Sequence, residues 1–555
     1  MRVCRTLEDL GITHVFGVPG SQTVSLYEAL RRSSLTSIVP SSELSAAFMA
    51  GAFYRASGRP AVLSTIPGPG FTLALTGLAE ARLDSAALLH LTIAAPDGVD
   101  ARFGLQAIPQ HDLGRPLAKA TFQVDRVEDI ESALQAAYRL SLSGEPGPVI
   151  IALTDATAGT LAPIPHWPLM SPDLADSAVA ETWERLAAAR RPLIYAGQGA
   201  IGCASQIQEL AEVLHAPVMT TPSGRGLLHE THDLSMPFDP CRGGLEAARA
   251  LMDRSDLVVV LGAKLGHNGS AGRSLAFLAD RSIQIDAGPD IAGEAYGIPS
   301  VTCRVEDWFA AKPVQGLQPS DWTSAELQRA RDKLRSPADR PVEPHVAGGT
   351  AEAFFGRLRN AVAAETIVVT DTGLHQVLAR RHFDVLTPRG LLLPSDFQSM
   401  GFGLPAAIAA RLACPDRPVV AVVGDGSLAM NGFELATLAD LHLQLPVIVF
   451  SDGFLNQIRY QQLVDFGLAS GTRLPSLDWQ AFAKSVGIEY LYCAQVDTTT
   501  FPGILSMDQP VLVEVPVGDS HALRQVRMRS RARGLIRRML GPELTARLQR
   551  LMRHT

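Results

Sequence analysis

No two of the six cysteines (Cys4, Cys203, Cys241, Cys303, Cys414, Cys493) stand at a CxxC spacing. That pattern offers no zinc site and fits thiols kept reduced in a cytoplasm. An excess of positive charge is also missing, and a formal net charge of −7 argues against general nucleic-acid binding. The opening residues, MRVCRTLEDLG, lack the apolar core of a signal peptide. No apolar run approaches the roughly 20 residues of a membrane span. A cytoplasmic protein is therefore the expectation. What is present is a chain of 555 residues, 46% hydrophobic and 19% charged, which suits an enzyme with large buried sheets. That length accommodates about three domains.

The most informative stretch is PVVAVVGDGSLAMNGFELATLADLHLQLPVIVFSDGFLNQIRY, residues 418–460. Val419 to Val423 reads as a buried strand that stops at Gly424-Asp425-Gly426. From Ser427 to about His442, Met430, Phe433, Leu435, Leu438 and Leu441 recur at helical spacing, predicting one helix. A second strand, Val447 to Phe450, ends at Ser451-Asp452-Gly453. A βαβ unit is almost always a right-handed parallel crossover, so Asp425 and Asp452, 27 residues apart, face one crevice. Two facing carboxylates repel and want a cation. Oxygen ligands beside a phosphate suit Mg²⁺. Glycines beside Asp425 let main-chain N–H groups approach an anion at a helix start. The competing reading is a dinucleotide fold, since Gly424, Gly426 and Ala429 also fit G-x-G-x-x-[GA].

The remaining chain alternates strands and helices in a parallel α/β pattern. An N-terminal block covers residues 1–165, a middle block 180–335, a third block 345–520, and a basic tail 521–555. Polar, proline-containing stretches near residues 161–190 and 313–349 read as linkers. The middle block opens with a strand leading into Gly197-x-Gly199-x-x-Gly202, again dinucleotide-like. Glu43 starts a helix, where acids are common. It is followed by Leu44, Ala46, Ala47, Phe48 and Met49, an apolar setting in which a carboxylate is costly without a partner.

Several segments together carry a resemblance. FGVPG, SELSAAFMAGAFYRASGRP, GPGFTLALTGLAEA, TDTGLHQ, SMGFGLPAAIAA and GDGSLAMNGFELATL follow one another in the order seen in thiamine-diphosphate-dependent enzymes. Within that family the chain is most similar to the acetolactate (acetohydroxyacid) synthases, up to about residue 520.

The resemblance implies two thiamine-diphosphate-binding α/β domains flanking a Rossmann-like middle domain. Glu43 matches the glutamate that hydrogen-bonds the cofactor's aminopyrimidine and assists removal of a proton from its thiazolium. Gln106 matches a glutamine that reaches the thiazolium region and substrate oxygen. His375 matches a diphosphate contact, and Met400 the apolar prop that bends the cofactor. Gln398 would offer its main-chain carbonyl, while Gly424, Gly426 and Ser427 would cradle the diphosphate. Asp425, Asp452 and the Phe454 carbonyl would hold Mg²⁺. Gln110, His111, Gln457, Tyr460 and Gln461 would line the substrate pocket.

Some positions depart from the family pattern. Leu374 replaces a glutamine, while Asp396 and Gln398 replace glycines, and the Gln398 side chain is expected near the substrate pocket. Asp452 stands where most members have asparagine, a substitution shared with catabolic, flavin-independent synthases. The turn AKLGHNGS lacks the arginine of FAD-containing members, which argues against FAD. The implied reaction is decarboxylation of a 2-oxo acid such as pyruvate, with carboligation to a carbonyl acceptor. Simple decarboxylation, aldehyde carboligation or lysis, and a non-catalytic homologue are the alternatives; a dehydrogenase is a further rival. The implied assembly is a homodimer or homotetramer, with each site shared between two subunits. The tail, with ten arginines and one acid, is either a solvated helix or a basic arm for an acidic partner or surface.

Overall fold

The apolar runs Ala61–Thr65, Leu88–Ile93, Leu257–Leu261, Val419–Gly424 and Pro446–Ser451 are strands buried along almost their whole length. Such runs belong in parallel sheets covered on both faces, and the computed structural model contains three of them. It describes residues 2–94, 103–153, 164–165, 176–312, 314, 316–336 and 343–519. The basic tail lies outside the described residues, as does most of the first linker.

The first sheet is built from β1 (His14–Gly17), β2 (Thr36–Ile38), β3 (Ala61–Thr65), β4 (Leu88–Ile93), β5 (Ala120–Val124), β6 (Pro148–Leu153) and β7 (Ile164–Pro165). Its order is β2-β1-β3-β4-β6-β5-β7, parallel except for the last pair. The second contains β8 (Pro192–Ala196), β9 (Val218–Thr220), β10 (Leu257–Leu261), β11 (Ser282–Asp286) and β12 (Ser300–Thr302). These run parallel in the order β12-β11-β10-β8-β9. The third has β13 (His345–Val346), β14 (Gly349–Thr350), β15 (Ile367–Thr370), β16 (Leu391–Leu392), β17 (Val419–Gly424), β18 (Pro446–Ser451), β19 (Glu489–Tyr492) and β20 (Val511–Gly518). Its main path is β14-β13-β20-β18-β17-β15-β16, with β19 on β20. The predicted pair β17 and β18 is parallel, Ala421 opposite Val447 and Gly424 opposite Phe450.

The first and third blocks share one core. The Glu43–Ser57 helix, Ala-rich and almost wholly buried, packs against the equally small-residue Gly403–Ala413 helix. Small side chains let two helix backbones approach closely, and Phe48 meets Phe402 edge-on at 5.6 Å across the seam. The middle block locks to the third through buried ion pairs. Arg380 pairs with Asp239 at 3.0 Å and Asp384 with Arg242 at 3.3 Å across the boundary, while Arg225 pairs with Glu230 at 2.6 Å inside the middle block. Arg225 also donates to the Arg380 and Phe383 carbonyls, and Arg242 reaches Glu230.

Three expectations need correction. The single helix from Ser427 to His442 is two, Asp425–Asn431 and Glu434–Asp440, divided at Gly432-Phe433. Leu435 and Leu438 face the core, whereas Met430 and Phe433 lie 55% and 67% exposed. Periodicity counted them as core because it cannot register a bend. The first linker is shorter than read. A helix covers Asp176–Ala188, and its Trp183 is buried, stacked on Trp308 at 4.1 Å. The second linker contains the Ser324–Arg335 helix, started by a reciprocal Thr323–Glu326 capping box.

Candidate functional site

At the carboxyl ends of β17 and β18 the two acidic turns meet. Asp425 Oδ2 accepts from the main-chain N–H groups of Asp452 (3.1 Å) and Gly453 (2.7 Å), and Oδ1 accepts from that of Gly426 (2.8 Å). One carboxylate therefore fixes the position of the other. Asp452 accepts from the Phe454 N–H at 2.9 Å and the Asn456 amide at 2.7 Å. Burial raises the pKa of Asp425, and burial together with the neighbouring Asp425 pushes Asp452 up to about 7. Two buried carboxylates set this close together favour a cation between them.

Beside the pair, Gly424 stands where any side chain would collide with the His375 ring, 2.8 Å from Nδ1. His375 is buried, which lowers its pKa to about 3 and leaves the imidazole neutral. Its Nε2 has no hydrogen-bond partner among the described residues. A buried polar atom of this kind, next to a glycine turn, suits an anionic oxygen as its partner. On the other side of the turn, Met400 Cε lies 3.5 Å from the place a Gly426 side chain would start, with Leu455 and Leu474. Ser427 donates to the Thr372 carbonyl at 3.3 Å. The chemistry of this donor set, two carboxylates, a neutral imidazole and an open main-chain turn, fits a Mg²⁺–diphosphate group.

The loop that carries Met400 is held from two sides, by residues that sequence reasoning passed over. Asp371, buried at the end of β15, accepts from the Gly401 (3.0 Å) and Gly403 (2.6 Å) N–H groups. Glu80, from the N-terminal block, accepts from the Ser399 N–H at 2.9 Å. Burial, then the nearby Asp84, raises the Glu80 pKa to about 8. Asp371 had a readable signal, an acid at a strand end in TDTG; Glu80, inside an apolar helix, had none.

Gln398 takes a left-handed conformation (φ 62°), which explains why glycine is usual there. Its side chain does not turn toward the pocket, contrary to expectation. The amide folds back on its own loop, donating to the Pro394 carbonyl at 2.7 Å and to that of Ser395. Asp396 is likewise engaged, accepting from Asn268 of the middle block. Leu374 packs on the apolar core of the third block.

Glu43 is buried at the first turn of its helix, after the N-cap Ser42. Its carboxyl lies against the Pro67-Gly68-Pro69-Gly70 turn, where a Gly70 side chain would come within 2.9 Å of Oε1. Gln106 sits over the same turn. It has a positive φ of 57°, and its amide oxygen accepts from Gln22 at 2.5 Å. Gln22 is a further contact absent from the sequence reading. Gln110 is corrected: rather than facing the pocket, it is buried and ties the Gly68 N–H (3.0 Å) to the Ile93 carbonyl (3.1 Å). His111 lies on the adjoining surface turn, 3.5 Å from Asp112. Gln457 and Gln461 are exposed one helical turn apart. Tyr460, expected at the entrance, directs its hydroxyl to Asp519 at 3.1 Å.

The structure thus gathers His375, Met400, Asp425, Gly426 and Asp452 into one half-site, and Glu43 with Gln106 into another. Among the described residues no hydrogen bond or ion pair runs directly from Glu43 or Gln106 to His375, Met400, Asp425 or Asp452. The two halves are linked structurally through Ser41, whose N–H donates to Glu434 at 3.0 Å.

The glycines after β8 are differently used. A side chain at Gly197 would run into the main chain of Gly262 and Ala263, and one at Gly199 would sit 3.0 Å from Gly262 Cα. One at Gly202 would meet Glu306 at 2.6 Å. These glycines pack two loops of the protein together, so the GxGxxG spacing needs no dinucleotide to explain it. A cavity of about 390 Å³ lies beside them between the three blocks, lined in part by Gln198, Lys264, Asp286 and Arg389. Lys264 bridges its wall to Glu145 and to the Leu83 carbonyl.

Comparison with known proteins assigns all three blocks to one enzyme family. Residues 2–114 match the family described as "Thiamine pyrophosphate enzyme, N-terminal TPP binding domain", 179–303 its central domain, and 371–515 its C-terminal TPP binding domain. The large subunit of acetolactate synthase isozyme 1 from Escherichia coli strain K12 is 30% identical, with 87% of each chain covered. The large subunit of isozyme 3 from the same organism is 28% identical over 87% of this chain and 88% of the relative. The acetolactate synthase large subunit of Haemophilus influenzae is 26% identical over 96% of each.

Proposed function

The chain belongs to the thiamine-diphosphate-dependent enzymes related to acetolactate synthase and forms carbon–carbon bonds; on that premise we propose that it decarboxylates pyruvate and joins the acyl unit to a second carbonyl compound, with acetolactate as the product from two pyruvates. The observation that carries the site is the carboxylate pair Asp425 and Asp452 set beside His375, whose Nε2 has no partner among the described residues. In this reading Asp425, Asp452 and the Phe454 carbonyl hold Mg²⁺. His375 Nε2 and the main-chain N–H groups of the Gly424–Ser427 turn take the diphosphate oxygens. Met400 would pack against the cofactor, and the Gln398 carbonyl would accept from its amino group. When bound, thiamine diphosphate supplies the electron sink for decarboxylation and acyl transfer; the protein supplies orientation and electrostatics.

Glu43 holds and moves a proton at its carboxyl, buried so that water does not compete. Gln106, braced by Gln22, faces the substrate oxygen. As the family resemblance implies, Glu43 serves the diphosphate half of a second copy. Supporting this, Val39, Met430 and Phe433, each at least half exposed, collect in one groove beside Ser42, the residue that caps the Glu43 helix. An exposed apolar cluster of this kind marks an interaction surface. A dimer is the smallest complete unit, and a tetramer pairs two of them. Among the described residues no helix is long and apolar enough to cross a membrane.

The test is incubation with thiamine diphosphate, Mg²⁺ and pyruvate, following CO₂ and identifying the carbon product. Acetolactate is expected. Acetaldehyde would make the protein a decarboxylase, and absence of CO₂ release would remove pyruvate as donor and turn attention to other 2-oxo acids and aldehydes.

A further inference from the structure

Asp452 sets a second carboxylate beside the turn that holds Asp425, and the structure shows what lies behind it. Asp452 Oδ2 accepts from Asn456 Nδ2 at 2.7 Å, and Asn456 Oδ1 accepts from Arg459 Nη1 at 2.7 Å. An amide with a carboxylate on one side and a guanidinium on the other has only one satisfactory orientation, nitrogen to the acid and oxygen to the cation. Arg459 therefore fixes the direction of Asn456, and Asn456 fixes the rotation of the Asp452 carboxylate.

Arg459 is itself held in place. Its guanidinium lies 4.3 Å from the centre of the Phe454 ring and 5.6 Å from that of Tyr460. Its Nη2 is 3.6 Å from Asp519 at the end of β20, which also accepts from the Tyr460 hydroxyl. Asn456 and Arg459 are both buried. With its fork committed to Asn456 and Asp519 and its face to the Phe454 ring, Arg459 acts on the site through other residues.

We infer that Asn456 and Arg459 are positioning residues forming a brace that orients Asp452 toward the metal and sets how tightly the chain holds Mg²⁺. This rests on the metal-site reading given above. The brace belongs to the aspartate at 452; an asparagine there would place no anion opposite the Asn456 amide and would lose little without Arg459. Residues behind a metal ligand commonly change affinity by about 10- to 100-fold when removed.

The experiment titrates Mg²⁺ against the full-length protein at fixed, saturating thiamine diphosphate, reading cofactor binding by tryptophan fluorescence and by the shift in Tm. Arg459→Met is expected to raise the Mg²⁺ concentration for half-saturation at least about tenfold. Asn456→Ala cuts the link while leaving the Arg459–Asp519 pair intact; it should do the same, and it serves if Arg459→Met does not fold. In an Asp452→Asn background the effect of either change should shrink to about twofold or less, a coupling read from the double-mutant cycle. Two outcomes overturn the brace alone: a wild-type chain that needs Mg²⁺ while the single variants bind it equally well, or an equal loss in both backgrounds. Wild-type cofactor binding that is indifferent to Mg²⁺ overturns the metal-site reading, and the brace with it.

Discussion

Two glycine-punctuated turns in this chain share a spelling, G-x-G-x-x-[GA], and each follows a buried strand and opens a helical segment. Their surroundings separate them. Around Gly424 and Gly426 lie two carboxylates, the His375 imidazole with its Nε2 unpaired among the described residues, and Met400. Around Gly197 and Gly199 lies the main chain of Gly262 and Ala263. The glycines of the first turn leave room at a site that wants a charged ligand. Those of the second let one loop of the protein rest on another. A glycine motif states that something comes close, and only the partner says whether it is a ligand.

Changes at the first turn should therefore erase chemistry. Asp425→Asn is expected to abolish Mg²⁺-dependent cofactor binding and turnover together, whereas Asp286→Asn, beside the second turn, should leave both nearly unchanged; calorimetry with thiamine diphosphate and a CO₂ assay would show the contrast. Glu43→Gln should lower turnover by at least about a hundredfold, in the range for loss of a positioned acid–base group, with cofactor still bound. Unchanged activity in that variant would remove Glu43 from the mechanism. At the second turn the effect should fall on stability. Gly197→Ala forces a side chain into the Gly262 main chain, an overpacking that costs about 1–3 kcal/mol in denaturant unfolding while cofactor affinity is kept.

A pH experiment sharpens the contrast further, because only the first turn has a buried histidine against it. The ordinary value for His375 is 6.5 and burial lowers it to about 3. Between these values the unfolded chain binds the proton and the folded chain does not, so acidification favours unfolding. Above about pH 6.5 the group contributes no slope. Relative to His375→Gln, the ligand-free wild type should lose about 1.4 kcal/mol per pH unit as pH falls below that point. The smallest expected signal is optical: the purified protein should show no bound-flavin absorbance, and stoichiometric flavin would reassign the central cavity.

Much of this was legible in sequence because it is local. The buried strands, the acidic turns and their parallel crossover follow from apolar runs and punctuation over some forty residues. What was hidden depends on distant partners. Gly199 meets Gly262, and Glu80 holds Ser399 across a domain boundary. The rotations that turn Gln398 onto its own loop, tie Gln110 to Gly68 and aim Asn456 at Asp452 leave no periodic trace. The bend at Gly432 is hidden for a related reason: it sends Met430 and Phe433 outward, toward a surface that a single chain leaves uncovered.

The buried ion pairs between the middle and third blocks carry a consequence for synthesis on the ribosome. The sheet of the middle block is complete once Thr302 has emerged, and its acids Glu230 and Asp239 are by then placed for burial beside Arg225 and Arg242. Arg380, which neutralises Asp239, and the carbonyls that take the Arg225 fork belong to residues made much later. A buried charge without its partner is costly. Until Phe383 has been added, that face of the middle block has only water to complete its hydrogen bonds, and its packing is finished by the third block.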